Sequence, residues 1–80
     1  MIFLIEYNRK KGMLETFKSF EDSEDVLARS ERLKLELKLN ENRVMHEVVL
    51  MQADSEADLR KTHSRYFKTP KEMIESFLNP

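Results

Sequence analysis

His46 and His63 are the residues of this chain best suited to acid–base or metal chemistry near neutral pH. Neither has a second histidine three or four positions away, and no His-Glu-x-x-His or Asp-x-Asp-x-Asp-Gly pattern occurs, so their spacing supplies no metal-ligand set. His46 falls within Val44 to Ala53, a run that reads as a strand. There it points with Val44 and Val48, and a packed or edge histidine bonded to backbone is expected. His63 has a richer setting. Between Leu59 and Lys71 stand five bases (Arg60, Lys61, Arg65, Lys68, Lys71) and no acid, interleaved with His63, Tyr66 and Phe67. Such a mixture can neutralise a phosphate or stack against a nucleic-acid strand. Arg60, Lys61, His63, Arg65, Tyr66 and Lys68 are therefore the candidate anion site. A plainer reading competes with it: cations are favoured at a helix C-terminus, and Leu59, His63 and Tyr66 fall at the spacing of a core-facing stripe. Arg9-Lys10-Lys11 forms a second basic spot, on a turn, which joins the first only if the fold brings them together.

Catalytic arrangements are harder to find. Thr62 and Ser64 adjoin His63, and neighbouring helical residues do not face each other, which leaves neither hydroxyl with a placed base. Glu21 and Asp25 stand one turn apart at a helix start, where the dipole keeps carboxylates ionised instead of tuning one as a general acid. The chain has no cysteine, which removes disulfides, thiol nucleophiles and thiolate-held metals. Its single glycine, Gly12, removes the dinucleotide fingerprint, the P-loop and the nucleophile elbow. No catalytic constellation, metal site or cofactor is implied, so a non-enzyme is expected.

The elements that carry these residues follow from composition and period. With 80 residues, 40% hydrophobic and 36% charged, the chain has room for one small domain with one core. Lys and Arg number 14 against 15 Asp and Glu, a net charge of -1, so no overall field draws the protein to nucleic acid or to a membrane. The opening Met1 to Ile5 is apolar but lacks a basic flank and meets Glu6 at once, so it reads as a strand of a cytosolic protein and not as a leader. Ile2 to Tyr7 is rich in β-branched and aromatic residues, Asn8 to Gly12 has the composition of a turn, and Met13 to Phe20 completes a hairpin.

Glu21 to Asn40 holds no Gly or Pro and starts with four acids, which predicts a helix. Leu33 to Leu39 alternates apolar and charged residues, the period of a strand, with Asn40-Glu41-Asn42 placed to turn it. Leu, Lys, Glu and Arg are better helix than strand formers, so helix is preferred. On that helix Val26, Leu33 and Leu37 share one face and Ala28, Leu35 and Leu39 another, which predicts two neighbours. Val44 to Ala53 is the third strand. Ser55 with Asp58 opens a short helix to about Ser64, and Thr69-Pro70-Lys71-Glu72 opens another with Met73, Ile74, Phe77 and Leu78 on its apolar face.

This ββαβαα order predicts an α+β domain with a three-stranded antiparallel sheet in the order 2-1-3, β1 central. Both β1 and β3 are apolar on two faces, so whatever the long helix leaves bare must be covered by the C-terminal helices or by a second subunit. Phe3, Ile5, Tyr7, Val49 and Met51 are the candidate interface residues of a homodimer, and a non-catalytic interaction or assembly module is the expected function. Binding of an anion, nucleotide or nucleic acid through residues 60–71 is the alternative.

The stretch Ala53 to Phe67, with Arg32-Leu33-Lys34-Leu35-Glu36-Leu37 and the third-strand segment, resembles small bacterial proteins of unknown function that share a similar acidic-then-basic helix and Thr-His-Ser-Arg-Tyr-Phe. That resemblance implies an autonomous cytosolic chain and brings no catalytic residues with it.

Overall fold

The computed structural model describes residues 1–68 together with Lys71, Glu72, Glu75 and Leu78. The helix expected from Thr69 and Pro70, with Met73, Ile74 and Phe77 on its apolar face, lies largely outside the described residues. Strand β1 (Ile2–Asn8) is the centre of a three-stranded antiparallel sheet, flanked by β2 (Met13–Phe20) and β3 (Glu47–Gln52) in the order β2-β1-β3. Between β2 and β3 runs a 3₁₀ turn, Asp22–Glu24, and then the long helix α1 (Asp25–Glu41). A short helix α2 (Glu56–Thr62) and a 3₁₀ turn, Ser64–Tyr66, follow β3. This is the expected α+β fold and strand order. Among the described residues no helix is long and apolar enough to cross a membrane.

Local chemistry explains the boundaries. The hairpin turn is held by Lys11 N–H donating to Asn8 Oδ1 at 3.1 Å, and Gly12 takes the left-handed conformation (φ 65°) that closes it. Glu15 is the extra residue where the pairing slips between Glu6↔Thr16 and Tyr7↔Leu14, a β-bulge beside Glu6. Glu21 and Glu24 cap the 3₁₀ turn reciprocally. Ser55 caps α2 by accepting from Asp58 N–H at 3.1 Å. The alternation over Leu33 to Leu39 does not make a strand: helix-forming side chains prevail, and α1 runs through it. Strand β3 starts later than Val44, because α1 ends in a Schellman turn that occupies the chain up to Val44.

Alternation along β1 divides the core. Phe3, Ile5 and Tyr7 face α2 and the following turn, buried with Leu59 and Tyr66 and flanked by Leu14, Phe17, Val49, Met51 and Phe67. Ile2 and Leu4 face α1, buried with Phe20 and Ala28 beside Leu35, Val48 and Leu50. Rings tile the first layer: Phe3 stacks on Phe17 at 5.6 Å, and Tyr7 meets Tyr66 edge-on at 5.2 Å. Both sheet faces are thus covered by the chain's own elements, which corrects the expected interface. Phe3, Ile5 and Tyr7 are buried core residues, and Val49 and Met51 are half-buried against the same cluster. Among the described residues the long helix packs on the sheet alone, and not between two neighbours. Its Ala28, Leu35 side lies on the sheet, whereas Val26, Leu33 and Leu37 are 80%, 55% and 54% exposed.

Candidate functional site

Glu6 is the one charged residue of β1, and the strand buries it on the α1 face of the sheet. A buried carboxylate is costly unless it is bonded. Thr16, its cross-strand partner on β2, donates Oγ1–H to Oε1 at 2.7 Å, and His46 Nδ1 lies at hydrogen-bond distance from Oε2. The His46 side chain, 16% exposed, sits just before β3 on the Val48 side, as the strand alternation requires. Its partner is a carboxylate, however, and not the backbone that the sequence suggested. Among the described residues no buried side-chain nitrogen or oxygen lacks a partner, and His46 Nε2 is bonded to none of them, so Nε2 is the solvent-reachable side of the ring.

Around it opens a cleft of about 410 Å³, lined by Arg9, Glu36, Leu39, Asn40, Val44 and Val48 among others. An imidazole oriented by a buried carboxylate is how acid–base residues are held. Among the described residues nothing adds a nucleophile hydrogen-bonded to that ring, and no three His, Asp or Glu side chains converge as a metal-ligand set. What the pair does in the fold is clear: it ties the central strand to the chain entering β3.

The basic segment does not converge. Arg60 lies over the Phe67 ring at 4.5 Å and pairs with Glu56 at 3.5 Å, one turn back on α2. Lys68 shares with Arg60 a shallow groove beside Gly12, Met13 and Leu14. Lys61 and His63 border a different depression with Asp54 and Asp58, whose carboxylates oppose an anion there. Thr62 Oγ1 donates to the Asp58 carbonyl at 3.1 Å and lies 2.9 Å from His63 Nδ1. Helical spacing alone sets these neighbours facing apart; His63 has left the helix (φ -127°, ψ 48°), and its ring turns back to Thr62. Arg9, from the other basic spot, lines the cleft near His46 and joins neither group.

Arg65 and Tyr66 are engaged internally. Arg65 Nη2 donates to Glu47 Oε1 at 2.9 Å and to the Tyr66 hydroxyl at 2.8 Å, and that hydroxyl donates to Glu47 at 3.1 Å. The hydrogen bond to Tyr66 is the main cause raising the Arg65 guanidinium, and burial is the main cause pushing the Tyr66 phenol up. This trio fastens the last 3₁₀ turn to the first residue of β3. Of the six residues of the candidate anion site, Arg60, Tyr66 and Lys68 therefore line one groove, Lys61 and His63 border another depression beside two carboxylates, and Arg65 is held by Glu47.

Sequence reasoning passed over Glu6, Thr16 and Glu47. The available signal was Glu6 itself, a charge set between Ile5 and Tyr7 in an apolar strand, which demands a buried partner. Compared with protein-family models, curated proteins and solved structures, the chain gives no match.

Proposed function

We propose that the protein is a non-catalytic cytosolic assembly module that pairs with a second copy of itself through the outward face of α1. The observation that carries this reading is the exposure of Val26, Leu33 and Leu37 along one stripe of that helix, opposite the side that lies on the sheet. A helix that packs on one side only gains nothing from a second apolar stripe unless something covers it. Leu27, 45% exposed, widens the patch.

The energetics fit a reversible pair. Completing the burial of a half-exposed Val or Leu returns about 1 kcal/mol. Eight such side chains from two copies are set against an association cost of roughly 4–15 kcal/mol, which gives a dimer whose population depends on concentration. The rival reading, anion or nucleic-acid binding through residues 60–71, has less support because only Arg60 and Lys68 share a groove, Lys61 and Arg65 lie elsewhere, and Arg60 and Arg65 already hold carboxylates.

Light scattering on a size-exclusion column across a wide concentration range tests the proposal. The expected mass rises toward twice the 9.6 kDa of the chain. Leu33→Lys should return it to a single chain at every concentration, and the wild type staying at 9.6 kDa throughout would overturn the reading.

A further inference from the structure

Resting on that reading, we infer that the two α1 helices pair antiparallel in one register, with Val26 of one copy against Leu37 of the other and Arg29 against the other's Glu36. The stripe is a coiled-coil seam. Val26, Ser30, Leu33, Leu37 and Asn40 follow the four-three spacing of positions that face a partner helix, while Ala28 and Leu35 occupy the position diametrically opposite and meet the sheet. One flank of the seam carries Arg29 and Glu36; the other carries Leu27, Lys34 and Glu41.

Those flanks discriminate among the alternative pairings. In a parallel pair, Arg29 would sit beside Lys34 of the second copy and Glu36 beside its Glu41, like against like in both cases. Antiparallel pairing centred between Ser30 and Leu33 instead sets Arg29 across from Glu36 twice, once on each side of the two-fold axis. It also lays Leu27 on the alkyl stem of Lys34. Sliding the antiparallel pair by a heptad toward the C-terminus puts Glu36 opposite Glu36 and Lys34 opposite Lys34, and sliding it the other way puts Arg29 opposite Arg29. One register alone joins opposite charges and covers all the apolar positions.

Arg29 now bonds Asp25 at 2.7 Å, and Glu36 pairs with Arg32 at 3.6 Å. Both are exposed pairs within one helix, so exchanging them for contacts across the seam costs little.

The chain has no cysteine of its own, which makes cross-linking clean. Val26→Cys and Leu37→Cys proteins, each confirmed folded by circular dichroism, are treated with a short bis-maleimide separately and as an equal mixture. Antiparallel pairing brings residue 26 of one copy to residue 37 of the other. It leaves like positions about 16 Å apart along the axis, a separation of eleven residues. The mixture should therefore yield severalfold more covalent dimer than either protein alone. Dimer formed as readily by each variant alone overturns the register in favour of a parallel pair. A wild-type protein that doubles in mass while neither variant nor their mixture cross-links overturns the seam and leaves self-assembly standing. A wild-type protein that never doubles overturns the assembly reading itself.

Discussion

Glu6 and His46, forty positions apart in the chain, meet at a hydrogen bond under the C-terminal half of α1. Truncating one partner of such a pair strands the other: His46→Ala leaves the Glu6 carboxylate buried with only the Thr16 hydroxyl. The expected loss is about 3 kcal/mol. Removing both together, as Glu6→Leu with His46→Leu, strands no charge and should restore stability to within about 1 kcal/mol of the wild type. Urea unfolding of the two single variants and the double variant checks this, and additive losses would show that the pair is not coupled.

Arg43 closes α1 in the left-handed conformation, φ 56°, that glycine adopts at no steric cost. Val44 N–H donates to the Leu39 carbonyl at 2.8 Å and Arg43 N–H to that of Asn40 at 3.1 Å, the two bonds of a Schellman cap, so the strain is imposed by the turn. Arg43→Gly should stabilise the protein by about 1 kcal/mol. For a domain of this size that raises the midpoint of thermal unfolding by about 4–8 °C, and Arg43→Ala should give no such rise.

Burial pushes the Tyr66 phenol above its ordinary value of 10.0. The unfolded chain then ionises first as pH rises, so stability is unchanged by this group below about pH 10 and falls as pH climbs through the folded value. Tyrosinate absorbance in the ultraviolet should show Tyr66 titrating late. Tyr66→Phe removes the phenol, and its stability curve should be flatter on the alkaline side even though the starting stability is lower, since Glu47 and Arg65 lose a shared partner.

The fold was legible because its signals are local. Ser55 and Asp58, the acids ahead of α1 and the two-sided β1 all act through near neighbours or period. Which face of α1 would find a neighbour was not local. Ala28 and Leu35 versus Val26 and Leu37 are equally apolar stripes, and only the small Ala28, which lets the helix approach the strand closely, separates them in hindsight. The candidate site was less visible still. The Glu6 and Glu47 partners lie across the sheet or in a later turn, and spacing along the basic segment does not show which of its side chains share a face beyond the end of the helix. Once His63 leaves the helix, Arg65 turns toward Glu47 while Lys61 faces Asp54 and Asp58.

Charge exchange on α1 separates a specific seam from general stickiness. Arg29→Glu alone sets two carboxylates against each other on both sides of the proposed two-fold axis, and Glu36→Arg alone does the same with two guanidiniums. Each single variant should lose about tenfold in dimer affinity, which corresponds to about 1.4 kcal/mol. Mixing the two variants gives a pair in which one copy carries carboxylates at positions 29 and 36 and the other carries guanidiniums at both, so opposite charges meet again on each side of the axis. Light scattering of the mixture should therefore recover the wild-type mass profile, and placing both substitutions in one chain should do so as well. Recovery in both cases can only come from residues 29 and 36 facing each other across copies, because in a parallel pair neither position meets the other. If the singles dimerise like the wild type, the apolar stripe alone holds the copies together and the charges select nothing.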